Sequence, residues 1–584
     1  MKKLYLLCLL SMSIGFMYAQ NTEWTTYYEQ SNYLETPRYH KTIEYCKKLA
    51  NYSDYIQYKT FGKSVLGRDL PILIIDKNKN FTPESIKNSG NAILFVEACI
   101  HPGESEGKDA GLMLLRDLFV YNKYPKLLKN TSILFIPIFN TDGHERFSAY
   151  SRINQNGPKE MGWRTTSQNY NLNRDFTKAD APEMQHWLSL FNKWLPDMFI
   201  DIHTSDGADY QYQLTYSMHI MGDMNKYQTQ WQNKYLNSIE KNLNRENILM
   251  FPYVSYRIWH DPRSGLIRNT YSPRYSTGYL ANQNRPALLV ETHMLKNYKT
   301  RVNATYHIIK NSIAYIDKHY KSLKNINKQA DIEAANMSGK DFVLSYYTSK
   351  KDSTSVLFKG VEYDIVHSDL TDGMWVQFSK KPKEYQLVLF DKLKIGKTAN
   401  LPTAYIVPAQ WYPIIDKLKL HGIKYKTLKK DQKFKIKTYK FSNIQFANFP
   451  YEGRQRVRNF KMKEISLTQT YCAGSIIIPL NQRTAKIIAH LMEPESPDSF
   501  LRWGFLNSIF ESKEYVETYV MEKMAREMIK KNPQLLVEYK RALKENPQKL
   551  NNQWAKVTWF LERSAYRDQL KNIYPIGKLY DANF

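Results

Sequence analysis

A near-continuous apolar run, Ile93-Leu-Phe-Val-Glu-Ala-Cys-Ile100, breaks at His101-Pro-Gly-Glu104, and this break limits the possible folds more than any other feature of the chain. Such a run, with no apolar/polar alternation, is the pattern of a strand covered on both faces of a sheet. After Glu104 the apolar spacing turns helical, with Leu112, Leu114, Leu115 and Leu118 set among Asp109, Arg116 and Asp117. The segment therefore reads as strand, turn and helix, with an imidazole and a carboxylate in the turn. Zinc takes imidazole nitrogen and carboxylate oxygen, so the pair can begin a metal site. A His-x-x-Glu pattern alone is too short to be specific.

Two more apolar runs supply what the first lacks. Met198-Phe-Ile-Asp-Ile-His203 ends in His, and Ala287-Leu-Leu-Val-Glu291 ends in Glu. Ligands of open α/β sheets sit outside the carboxyl ends of the strands. Three strands that each finish in a metal ligand or acid-base group therefore bring His101, Glu104, His203 and Glu291 to one rim.

These residues carry a family resemblance. His101-x-x-Glu104, Asn140-Thr-Asp-Gly143, Gly162-Trp163-Arg164, Asn173-Arg174, Asp201-Ile-His203 and Glu291 follow one another as in the zinc metallocarboxypeptidases of the carboxypeptidase A class. The match covers roughly residues 36 to 325 and resembles an exported bacterial member. It implies one zinc ion held by His101, Glu104 and His203, with Glu291 as general base. It further implies that Arg164 polarises the scissile carbonyl, with Arg152 a competitor for that role, and that Asn173 and Arg174 grip the substrate's terminal carboxylate. A mobile tyrosine is implied from the region Gln211 to Arg285. Tyr271, Tyr275 and Tyr279 are candidates that spacing does not separate, and Tyr275 is carried forward as substrate-binding. His293 reads as a neighbour of the site, since two His and one Glu already leave the open position that catalysis requires. Two positions depart from the family pattern. Thr141 replaces a usual proline, and Asn171 stands where an aspartate commonly orients a zinc-binding histidine; an amide can still accept from imidazole but adds less basicity.

The chain opens with Lys2 and Lys3, an apolar core from Leu4 to Phe16, and Met17-Tyr18-Ala19. This reads as a secretory signal peptide over 1–19, so the protein is expected in the periplasm or outside the cell, without a transmembrane anchor. Beyond the leader lie three cysteines, Cys46, Cys99 and Cys472, an odd, irregular set that is no disulfide framework. Cys99 reads as a small buried hydrophobe. The formal charge of +27 invites a nucleic-acid reading, but no nucleic-acid signature accompanies it and the lysines are dispersed. Lys433-Phe-Lys-Ile-Lys-Thr-Tyr-Lys440 alternates as a strand with one basic face. Electrostatic attraction to anionic envelope polymers is the expected consequence.

The remaining pattern sets the architecture. A helix is expected from Thr36-Pro37 to about Ala50, then a hairpin from Tyr55–Phe61 and Leu70–Ile75, and a strand over Ser132–Phe139. The fold class is α/β: a mixed, mostly parallel sheet flanked by helices over 20–325, a polar linker over 326–341, and a C-terminal α+β accessory domain over 342–584, strand-rich then helical. The predicted activity is removal of the C-terminal residue from peptides or proteins with a free C-terminus. A hydrolase of cell-wall stem peptides, cutting D-amino-acid or γ-linked bonds, and a non-catalytic polymer-binding protein are the alternatives.

Overall fold

The computed structural model describes residues 23–219 and 224–581; the expected leader over 1–19 lies outside them. The first part of the chain supplies β1 (Ile56–Lys63), β2 (Asp69–Ile75), β3 (Ala92–Glu97), β4 (Thr131–Ile136), β5 (Met198–Ser205), β6 (Leu214–Met218), β7 (Met250–Pro252), β8 (Ser255–Ile258), β9 (Asp261–Ile267) and β10 (Ala287–His293). Eight of these form one sheet in the order β1-β2-β4-β3-β5-β10-β6-β7. At its centre β4, β3, β5 and β10 run parallel, and antiparallel pairs flank them. The three strands whose ends carry the candidate ligands are thus consecutive neighbours.

Their apolar character follows from burial on both faces. Ile93 and Phe95 of β3 pack with Trp187, Phe191 and Phe199 on one side. Leu94 and Val96 pack on the other, with Leu112 and Leu115 of the helix Glu106–Phe119 and Ile308 and Ile309 of the helix Tyr298–Ala335. At the start of the chain the helix spans Tyr39–Tyr52 with Arg38 before it, so Thr36-Pro37 precedes it rather than starting it. The hairpin forms as β1 and β2.

The long helix Tyr298–Ala335 corrects the expected linker: positions 326 to 335 are helical, and the chain leaves the helix only at Asn336. Ile326, Ala330 and Ala334 recur every four residues and are buried. This stripe was masked by the polar residues between them.

Beyond it come β11 (Asp341–Thr348), β12 (Thr354–His367), β13 (Met374–Phe390) and β14 (Leu393–Asn400). β12 and β13 form a long hairpin that extends β9 and β8 into a four-stranded sheet. Then β15 (Ala404–Val407), β16 (Lys426–Thr427), β17 (Gln432–Phe446), β18 (Val457–Tyr471), β19 (Ile476–Pro479) and β20 (Gly577–Leu579) build a six-stranded sheet. On β17, Lys433, Lys435, Lys437 and Lys440 are exposed while Phe434, Ile436 and Tyr439 are buried, which gives the basic face its alternation. Helices Thr518–Lys531, Gln534–Glu545 and Gln553–Leu561 form a separate small core. The C-terminal sheet is not an independent body, because Leu418, Ile476 and Ile478 share one apolar core with Trp187 and Tyr279.

Candidate functional site

The site begins where β3 stops. Cys99 takes φ +59°, a left-handed conformation uncommon for a residue with a Cβ. The kink it makes carries the chain into a turn closed by Glu104 N–H donating to His101 O at 2.9 Å. Cys99 itself is fully buried. One strand over, His203 of β5 lies beside Glu291 of β10 in parallel register.

His101 Nδ1 and His203 Nδ1 are 3.1 Å apart, and the Glu104 carboxylate lies 3.2 Å from the first and 2.9 Å from the second. Each of the three residues is at most 3% exposed. Among the described residues these side chains form the one cluster with metal-ligand geometry. The outward ring nitrogens are already engaged: His101 Nε2 is 3.0 Å from Asn171 Oδ1, and His203 Nε2 is 2.9 Å from Asp201 Oδ2. Each Nε2–H therefore donates outward, the hydrogen-bond network assigning the tautomer, and each Nδ1 presents a lone pair inward. Two lone pairs and a carboxylate this close, away from water, make a donor set that could hold a cation. Zinc fits, for its ligands stand about 2.0–2.2 Å from the ion in a tetrahedral site.

Asp201 was named in the sequence as part of the Asp201-Ile-His203 motif, but the role of orienting His203 was not assigned to it there. The available signal was its spacing, since residues two apart on a strand share a face. Its Oδ2 also accepts from Ser276 Oγ. Asn171, the departure from the family pattern, occupies the orienting position for His101 and also accepts from Asn173 N–H at 3.0 Å.

Glu104 is further held by two arginines. Arg152 Nη1 is 2.8 Å from Glu104 Oε1 and Arg164 Nη1 is 3.4 Å from the same oxygen. Gly103 allows this: a Cβ there would meet Arg152 Cδ at 2.2 Å. Arg152 is the more enclosed, with its side chain 15% exposed against 41% for Arg164.

A cavity of about 560 Å³ is lined by all of the expected site residues: the three donors together with Glu291, Arg164, Asn173, Arg174 and Tyr275. The guanidinium of Arg174 lies 4.4 Å from the centre of the Tyr275 ring, and its Nη1 donates to Asn173 O. The side-chain oxygen of Asn173 accepts from Ser276 N–H at 3.3 Å. Of the three tyrosines, Tyr271 and Tyr275 line the cavity. Tyr279 does not: it is fully buried and its hydroxyl donates to His421 Nδ1. Tyr253, which sequence did not single out, lines the cavity and donates to Asp206. His293 stacks on Tyr210 and bonds Asp209, apart from the donor cluster. Burial pushes the Glu291 carboxyl up to about 8, where a carboxylate becomes basic enough to take a proton near neutral pH.

The C-terminal part reaches the same site. The turn between β17 and β18 places Glu452 where it accepts from Asn171 N–H at 3.0 Å, and Arg454 makes two 2.7 Å bonds to Asp180.

The family profile described as zinc carboxypeptidase matches residues 42–355. Carboxypeptidase 2 of Trichophyton equinum is 21% identical over 505 residues, spanning 80% of this chain and 84% of its own; that of Trichophyton rubrum is 20% identical over 499 residues, again 80% and 84%. Among solved structures, a metallo-carboxypeptidase from Burkholderia cenocepacia aligns with 16% identity and a TM-score of 0.36, covering 48% of this chain and 69% of that one. Carboxypeptidase A from Helicoverpa armigera aligns with 13% identity and a TM-score of 0.37, covering 51% and 74%. Since the profile spans more than half of the chain, and its motifs meet around one electron-rich cluster, the protein belongs to the zinc carboxypeptidase family.

Proposed function

We propose that this chain is an exported carboxypeptidase that hydrolyses the last peptide bond of peptides or proteins with a free C-terminus. The observation that carries the proposal is the shared cavity: the His101–Glu104–His203 cluster, a buried carboxyl on the adjacent strand and a cation at Arg174 all face it. Zinc, when bound by His101, Glu104 and His203, supplies a Lewis acid that brings the pKa of water down to about 7. Glu291 takes the proton of the attacking water and returns it to the leaving amine. With a cation held by the adjacent donors, the Glu291 carboxyl would lie below its raised value and could serve as base first and acid second. Arg164, with Arg152 beside it, donates toward the carbonyl oxygen as negative charge develops there. Arg174, braced on the Tyr275 ring, takes the substrate carboxylate with its forked donors, and Asn173, which lines the same cavity, shares that grip. One residue is then released per cycle.

Export follows from the sequence of residues 1–19, and among the described residues no helix is long and apolar enough to cross a membrane. The catalytic part is taken to end with the helix Tyr298–Ala335 and the accessory part to begin near 342. The lysine face of β17 is the surface on which anionic envelope polymers would be held, an attraction that salt weakens. Paired peptides with free and amidated C-termini test the reaction. Zinc-dependent loss of one residue from the free form alone is the expected result. Internal cleavage, or equal turnover of both, would overturn the proposal.

A further inference from the structure

The catalytic cavity does not end at its mouth. A second hollow of about 720 Å³ continues it, and Asn154, Asp206, Gly207, Trp259 and Met294 line both. None of the residues around the carboxylate clamp, Asn173, Arg174, Tyr275 and Ser276, is shared. The outer hollow therefore opens from a stretch of the cavity wall that excludes the clamp. Its far wall comes from the tip of the β12–β13 hairpin, where Met374 and Trp375 stand 64% and 50% exposed, facing Trp259 at 57%.

Large apolar side chains gathered in the open cost solvation free energy unless something covers them. Here the hairpin is held so that they stay at the mouth. β13 pairs with β9 through Leu389–Leu266 and Phe390–Ile267. Lys359 N–H donates to Tyr212 Oη at 3.0 Å, Arg263 N–H donates to Tyr363 Oη at 3.0 Å, and Phe358 is buried among Tyr210, Tyr212 and Phe251. These ties fix the hairpin to the loop that carries Asp206.

We infer that the Trp259–Met374–Trp375 hollow is an outer substrate subsite, which binds the stretch of the same peptide that precedes the residues in the catalytic cavity and prefers aromatic or large apolar side chains there. A chain whose carboxylate sits at Arg174 has to leave the cavity past residues other than the clamp, and the shared wall at Asn154, Asp206 and Trp259 leads between these side chains. The inference rests on the carboxypeptidase reading and names the substrate class: peptides long enough to reach the hairpin, not dipeptides.

The test compares an N-acylated dipeptide with a hexapeptide that has the same last two residues and phenylalanines upstream, using the full chain loaded with zinc. The hexapeptide is expected to have the higher kcat/KM. Trp375→Ala should lower that value about tenfold, mainly through KM, a loss typical of an aromatic contact at an interface. The dipeptide should stay within about twofold and Trp375→Phe should recover most of the loss. Equal kcat/KM for the two peptides in the unaltered protein, a parallel fall for both in Trp375→Ala, or no fall for either, would overturn the subsite. A calorimetric titration of the hexapeptide into Glu291→Gln, with and without Trp375→Ala, reads the hollow without turnover. Binding weakened by Trp375→Ala supports the subsite even if neither peptide is cut, in which case the reaction fails and the hollow stands; unchanged binding overturns it.

Discussion

The two imidazoles of the donor cluster are oriented by unlike partners, and the difference can be measured. Asp201, 1% exposed, places Oδ2 2.9 Å from His203 Nε2 and accepts there from Ser276 Oγ as well. Its charge raises the basicity of His203 and holds the ring with Nδ1 inward. Asp201→Asn keeps the size and one acceptor but removes that charge. Losing such a partner typically costs 10–100-fold in metal affinity, about 1.4–2.7 kcal/mol. The loss should fall toward the upper end, because the other imidazole has only the neutral Asn171 amide. Zinc dissociation constants from competition with a chromophoric chelator check this, with melting of the zinc-saturated proteins to show that both remain folded. The converse change, Asn171→Asp, should move affinity the other way, by less, since Glu452 already places a carboxylate against Asn171 N–H. An unchanged constant for Asp201→Asn, or equal weakening in both variants, would refute the account of unequal partners.

Glu291→Gln should retain zinc, measured by metal analysis, and lose nearly all hydrolysis; near-normal turnover would remove Glu291 from the proton transfers. Arg174→Ala should raise KM for peptides with a free carboxylate far more than for amidated ones, read from initial rates on matched substrates. Arg454→Ala breaks the paired bonds to Asp180 and the stacking on Phe505 and should cost about 1.5–3 kcal/mol in chemical denaturation, as charged hydrogen bonds do. His421 gives a pH signature: burial lowers its pKa to about 4, so the fold disfavours its protonated form. Its contribution is complete above the unfolded value of about 6.5 and declines by about 1.4 kcal/mol per pH unit as pH falls toward 4. His421→Asn should therefore flatten the stability slope in that window, followed by denaturation at a series of pH values.

The donor cluster was legible because strand ends are written locally. An apolar run that stops at His101, His203 or Glu291 states both that the segment is a buried strand and that its last side chain reaches the rim. The same grammar does not cover contacts between distant segments. The helix through 326–335 was hidden because three small or apolar residues among many polar ones suffice for one buried stripe. Tyr279 could not be separated from Tyr271 and Tyr275 by spacing, because its burial depends on His421, 142 residues away. The β12–β13 hairpin was only partly readable: Tyr385–Phe390 alternates like a strand, but the exposed tip around Trp375 has meaning only beside Trp259.

The least legible contribution is the brace from the C-terminal sheet, and it bears most on how the site is held. Glu452 adopts φ +50° in the turn that links β17 to β18, a conformation that glycine or asparagine would take at lower cost. A glutamate kept there gains an acceptor for Asn171 N–H, 281 residues earlier. Asn171 in turn accepts a hydrogen bond from His101 Nε2–H, so the turn fixes the backbone from which a candidate zinc ligand is aimed. Arg454, two residues on, ties the same turn to Asp180, and Gly453 makes room for Tyr170, since a Cβ there would stand 2.8 Å from its ring. Three consecutive residues of the turn thus contact the loop that orients His101. Cutting the chain before the C-terminal sheet would leave the donors in sequence but release that loop, so such a truncation should lose zinc affinity along with stability. A truncated chain that folds and binds zinc as the full chain does would show that the contacts are incidental to the metal site.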